Sequence, residues 1–251
     1  GFLAALVYSS TALLTGSGMD ISTQTLRMSM LIGELLIPLP ALLWALKNKA
    51  PLKKVLRLNP VKGKLFLPVI ITGVSLIVII DELDRLLATF ISMPDNLEQI
   101  EALMAIDGLF SAVIIIGTIV ILGPFVEEIL FRGFFQQVLE VRLPNITHAV
   151  LLSALSFAIM HFNPWWLVQI YILGFFMAFF AYRTNSIILP LIIHALNNGL
   201  SVLASQFDEA QLTFYLWHDH VNPIILIPAL FLVYWGVKKF IKLTSKNISL
   251  E

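Results

Sequence analysis

Three groups of polar residues interrupt a chain that is otherwise strongly apolar. The first is Glu127-Glu128-Ile129-Leu130-Phe131-Arg132, just after Gly123-Pro124. The second is His161, with Phe157 four residues earlier. The third is His194, followed by Asn197 and Asn198. On a helix Glu128 and Arg132 share a face, and so do His194 and Asn198. Glu127 points about 100° away from Glu128 and is free for another task. Each group alone also has a structural use: an ion pair beside a kink, a histidine at a helix end, hydrogen bonds between helices. Together they contain the parts of a hydrolytic site. A carboxylate beside an imidazole takes a proton from water and returns it to a leaving group. A second imidazole with an Asn amide donates hydrogen bonds to a developing oxyanion. Such a site needs no covalent nucleophile.

Other hydrolytic chemistries fit less well. The chain has no cysteine, which removes disulfides, thiolate metal sites and a thiol nucleophile. His-Glu-x-x-His and Gly-x-Ser-x-Gly are both absent. An aspartyl dyad needs two buried Asp residues on different helices, whereas Asp81 and Asp84 share one segment. Asp81 and Arg85 are spaced as an i,i+4 pair near a membrane interface, which favours a structural role.

The elements that carry these groups are membrane helices. Of the 251 residues, 58% are hydrophobic and 13% charged, and the mean hydropathy is +0.89. A soluble domain has about twice that charged share. The net charge is zero, so no basic field points to nucleic acid. About eight segments approach the roughly 20 apolar residues that a membrane helix needs. They are Phe2–Leu14, Met28–Leu46, Leu65–Ile80, Leu109–Leu122 continuing to Leu139, Ile146–Met160, Trp165–Tyr182, Ile187–Ala204 and Pro223–Val237. The expected fold is an all-α, polytopic membrane helix bundle forming one domain over residues 1–251. A surface amphipathic helix is expected over Asp95–Asp107. Glu127 and His161 each lie 17 positions from Pro144. An antiparallel pair turning there lifts both about 25 Å above the turn. His194 lies about nine residues, roughly 14 Å, above its own turn near Asn185. Tilt, or a break at Gly123-Pro124, has to close that difference.

The motifs Glu-Glu-x-x-x-Arg, Phe-x-x-x-His and His-x-x-x-Asn, in this order on successive apolar segments, resemble the CPBP family. That family comprises type II CAAX prenyl proteases and bacteriocin-processing or self-immunity (Abi) proteins. The motifs stand at Glu127, Glu128 and Arg132, then Phe157 and His161, then His194 and Asn198, in a core of about residues 109–205. The resemblance implies an intramembrane endopeptidase. In it Glu127 is the general base and His161 orients the water. His194 and Asn198 hold the oxyanion, and Glu128 with Arg132 organises the site. It implies a peptide or protein substrate within the lipid bilayer. No cofactor is favoured; zinc is the alternative, since one Glu and two His form a legitimate ligand set. Two other readings use the same residues. One is a non-proteolytic binding or bacteriocin self-immunity protein. The other is a transporter with a Glu–His proton relay, although no paired halves support it.

Loop charges give the orientation. Lys47, Lys49, Lys53, Lys54, Arg57, Lys62 and Lys64 crowd one loop, which the positive-inside rule makes cytoplasmic. Alternation then puts both termini in the cytoplasm. The compact eight-helix form points to a bacterial plasma membrane. Single cysteines at Lys53 and Lys242 should resist an impermeant thiol reagent in intact cells, while cysteines at Glu98 and Asp208 should react. Labelling of Lys53→Cys from outside would invert this topology.

Overall fold

A computed structural model describes residues 23–91, 103–208 and 211–245. The chain is a bundle of helices. The first rod is α1 (Thr23–Leu36) and α2 (Leu39–Lys47), bent at Ile37-Pro38, where proline has no N–H to continue the ladder. A short α3 (Leu52–Val55) and a 3₁₀ turn (Gly63–Leu65) cross the basic loop. Then follow α4 (Phe66–Phe90), the long rod α5 (Leu109–Arg142), α6 (Ile146–Ile159), α7 (Leu167–Thr184), α8 (Ile188–Ala204) and α9 (Pro223–Ser245). Asn145 caps α6 by accepting from the Thr147 amide at 2.8 Å. Asn185 closes α7 in the left-handed conformation, with φ 48°.

Among the described residues five rods are long and apolar enough to cross a bilayer, and α6 and α8 are shorter apolar helices. Seven of the expected segments thus coincide with helices, while Phe2–Leu14 lies outside the described residues. So does most of Asp95–Asp107, and of that stretch only Leu103 and Met104 are described as helical. Large apolar side chains such as Leu43, Leu67, Leu109, Ile121, Ile224 and Phe231 are exposed. In a bilayer they face lipid, which solvates them as water cannot. The core is built from Val69, Leu76, Phe131, Phe157, Met177, Phe180, Leu189, Ile193 and Phe240, all buried. α4 runs along α9, α6 along α7, and α8 lies against α4, α5 and α7.

Two helices outrun the sequence expectation. α4 was expected to stop at Ile80 and α9 at Val237. α4 instead continues through Asp81–Arg85, because each of those charges finds a partner. Arg85 pairs with Asp81 at 3.3 Å, and the Tyr215 hydroxyl donates to the same carboxylate at 2.8 Å. Gln169 donates to Asp84 at 2.9 Å. Glu82 accepts from the Val221 amide at 2.8 Å and meets His220 Nδ1 at 3.0 Å. That holds a two-residue hairpin, β1 (Leu216–Trp217) and β2 (His220–Val221), which the sequence reading did not anticipate. Burial, and then the Asp81 charge, push the Tyr215 hydroxyl above its ordinary pKa, so it stays a donor. The structural role expected of Asp81 and Arg85 agrees with this arrangement.

The opposite edge is clamped from the basic loop. Arg57 is buried and pairs with Glu140, and its Nε donates to Asn185 Oδ1 at 3.1 Å. The Ile187 amide donates to the Arg57 carbonyl at 3.1 Å. Gln136 donates to Glu140 and to the Ala178 carbonyl, both at 2.9 Å. Leu56 presses its backbone on Gly133, where a Cβ would stand 3.0 Å from the carbonyl oxygen. The turn at Asn185 is thereby tied to Glu140 rather than to Pro144.

The α4–α9 contact depends on one missing side chain. A Cβ on Gly236 would overlap Thr72 Oγ1 and stand 2.8 Å from the Pro68 carbonyl oxygen. Gly236→Ala should force the helices apart and destabilise the bundle by about 1–3 kcal/mol. Thermal unfolding in detergent measures this, with Gly117→Ala, whose Cβ meets nothing within 4 Å, as the neutral control.

Candidate active site

The site forms where α5 departs from regular helix. Two π-helical stretches, Ile116–Leu122 and Ile129–Phe135, flank the regular turn Gly123–Glu128. π segments of this kind recur at functional sites. In the first stretch the Gly123 amide donates to the Thr118 carbonyl. The next amide in that register would be residue 124, which is proline and has no N–H. The Ile119 carbonyl is instead satisfied by Asn198 Nδ2 from α8, at 2.9 Å. Gly123-Pro124 therefore fixes the height of α8 against α5 and places His194, one turn below Asn198, beside the two glutamates.

Glu128 and Arg132 form the buried base of the site. Both side chains are fully buried, and Arg132 Nη1 donates to Glu128 Oε1 at 2.6 Å. Arg132 Nη2 donates to the Gly174 carbonyl at 3.3 Å, and the guanidinium stacks on the Phe157 ring at 4.0 Å. A Cβ at Gly174 would crowd both, at 3.2 Å from Phe157 and 3.4 Å from Arg132 Nη2. His194 Nδ1 lies 3.0 Å from Glu128 Oε1. A carboxylate that already accepts from arginine can only accept from the ring, so Nδ1 carries the proton. His194 Nε2 is then aimed at Glu127 Oε2, 3.6 Å away.

Glu127 and Glu128 are adjacent in sequence and opposite in setting. Glu128 is 0% exposed and Glu127 15%, so only Glu127 is open to water or substrate. His161 sits in the turn after α6. Its Nδ1 must donate to the Phe157 carbonyl, at 2.8 Å, because a carbonyl only accepts. That leaves Nε2 free, within electrostatic range of Glu127 and His194. Phe157 packs edge-on against both imidazoles, with ring centroids 4.7 Å from His161 and 5.5 Å from His194.

The structure links Glu127, Glu128, Arg132 and His194 by direct contacts, sets His161 within electrostatic range of Glu127, and places Asn198 one turn from His194 on α8. The Glu128–Arg132 pair is as expected. Glu127 is in direct contact with His194 rather than His161. One Asn198 amide hydrogen is used on Ile119, and its Oδ1 accepts from Asn197 at 3.2 Å. For zinc, the donors do not fit as placed: among the described residues no three His, Asp or Glu side chains converge as a ligand set. The sequence reading missed one residue. Glu34, in α1, is buried and lies over Gly123, with its carboxyl close enough to Glu127 for their charges to interact. Its signal was visible: a lone carboxylate in the middle of an apolar segment.

Residues 109–200, from the start of α5 into α8, match the family model described as type II CAAX prenyl endopeptidase Rce1-like. The matched segment contains all six candidate residues and bears out the resemblance read from the motifs. No curated protein and no solved structure matches the chain.

The two glutamates should respond differently to the same change. Glu128→Gln leaves the Arg132 charge buried without its counter-charge, and breaking a buried pair costs about 3–5 kcal/mol. Glu127→Gln breaks no such pair and should leave stability near wild type. Thermal midpoints and folded yield in detergent, compared for the two variants, measure the difference.

Proposed function

From the family match and the geometry around Glu127, we propose that the protein is an intramembrane endopeptidase that hydrolyses a peptide bond with a glutamate-activated water. The observation that carries this reading is the contrast between the two glutamates. A reachable carboxylate faces an imidazole nitrogen, and the imidazole is oriented by a second carboxylate locked in an ion pair. Glu127 takes the proton from water, and His161, through its free Nε2, orients that water. His194 is held with Nε2 toward the reacting point. The remaining Asn198 N–H donates to the tetrahedral oxyanion, and His194 donates through Nε2 when both of its ring nitrogens carry protons. Glu128 and Arg132 do not touch substrate; they fix the His194 tautomer and direction. The substrate is a peptide or protein segment that enters from the bilayer, and the reaction uses no metal.

The same cluster would also stabilise a membrane binding or bacteriocin self-immunity protein without catalysis. Partial exposure of Glu127 favours catalysis, since a purely structural carboxylate gains nothing from access to water.

The test compares cells carrying wild type with cells carrying Glu127→Gln and looks for a membrane or secreted polypeptide that accumulates uncleaved. Glu127→Gln should abolish cleavage with normal expression and helicity. Asn198→Ala should slow it by about 10²–10³-fold. Wild type should keep its rate in the presence of a chelator. If no polypeptide changes in processing while Glu127→Gln still loses the cellular phenotype, the site binds rather than cuts.

A further inference from the structure

We propose that Glu34 is a second carboxylate of the active site, sharing one proton with Glu127 and delivering it to the leaving amine. This rests on the hydrolytic reading above. Glu34 comes from α1, outside the segment that matches the family model. It is 8% exposed, and its Oε2 is buried without any hydrogen-bond partner. Gly123 leaves it room: a Cβ there would stand 3.6 Å from both Cδ and Oε2 of Glu34. Gly123 is one helical turn before Glu127 on the same face of α5, and the two carboxyl groups interact through their charges.

Among the described residues no cation forms an ion pair with Glu34. Arg27, on the same helix, donates to the carbonyls of Leu103 and Ala105 at 3.0 and 2.6 Å. Arg132 is taken up by Glu128, Gly174 and Phe157. Among the described residues the other ionisable groups around Glu127 are Glu128 and Arg132 on α5, His161 after α6 and His194 on α8. Two carboxylates close together repel when both are charged, and a proton held between them relieves that repulsion. A second unpartnered oxygen lies on the same side. Thr118 Oγ1 is buried, makes no hydrogen bond, and lines a narrow cavity with Arg27, Met30 and Leu103. Met30 is one turn from Glu34.

The proton count closes. Ionised Glu127 takes a proton from water as the water oxygen bonds to the peptide carbonyl carbon. Neutral Glu34 gives its proton to the amide nitrogen as the C–N bond breaks. The acid and amine leave, and the proton on Glu127 passes to Glu34, restoring the starting state. Water has been added across the bond and neither glutamate is changed.

The test uses the purified full-length chain in nanodiscs, by infrared spectroscopy and by cleavage of whichever polypeptide the comparison of cells identifies. The resting wild type should show a protonated-carboxyl band that Glu34→Gln removes and Glu127→Gln shifts. Glu34→Gln should lower kcat by about 10²-fold or more, within the range of general acid–base catalysis. KM and thermal midpoint should stay near wild type. Wild-type kcat in Glu34→Gln would overturn the proposal. So would a loss of activity that comes only with a loss of thermal midpoint, with no change in the carboxyl band of either variant. If wild type cleaves nothing yet Glu34→Gln still removes the band, the hydrolytic reading falls and the proton-sharing pair stands.

Discussion

The buried ion pair between Glu128 and Arg132 is the constraint on which the site depends. Two charges held at zero exposure lose their hydration, and their mutual attraction does not by itself offset that loss. Neighbours supply part of what is missing, while Glu128 Oε2 and Arg132 Nε stay buried without a hydrogen-bond partner. His194 supplies a hydrogen bond from α8, the Gly174 carbonyl another from α7, and the Phe157 ring faces the guanidinium from α6. Three helices are therefore fixed around α5 by the need to accommodate a single pair. The small residue at Gly174 follows from the same need, since any side chain there would occupy the space between Phe157 and Arg132. Asymmetry between the adjacent glutamates is the functional result: one is locked to orient an imidazole, and the other is left partly open.

Irregular backbone is the second ingredient. At membrane depth a carbonyl without a partner is costly, so departures from helix persist only where protein groups satisfy them. In α5 the proline at 124 withdraws a donor and Asn198 replaces it. This exchange aligns α8 with α5. The polar side chain and the helix break are thus two halves of one device, and neither explains the position of His194 alone.

Charged clusters at the two edges hold the bundle that surrounds this site. Asp81, Glu82, Asp84 and Arg85 bind the loop hairpin and the start of α7, while Arg57, Glu140 and Gln136 tie the basic loop to the feet of α5, α7 and α8. Between them, helix packing relies on close approach. Gly73 meets Ile193 and Gly236 meets Thr72, because lipid gives apolar side chains no incentive to associate and contact must come from fit.

The class of the protein, its membrane segments and the three polar groups were all legible in sequence. Hydropathy, charge count and helical spacing act over a few turns, and each is a local property. The Glu128–Arg132 contact was legible for the same reason, since both residues lie on one helix. Contacts between helices were not. Equal distance from Pro144 pointed to a Glu127–His161 contact. Only the tertiary structure, which ties α8 to α5 through the Asn198 bond to the Ile119 carbonyl, put His194 between the two glutamates. Glu34 was undecidable for a similar reason. A lone carboxylate in an apolar helix has no meaning until the face it meets is known, and that face belongs to a helix almost a hundred residues further along the chain. Sequence determines which groups must avoid lipid; packing decides which of them meet.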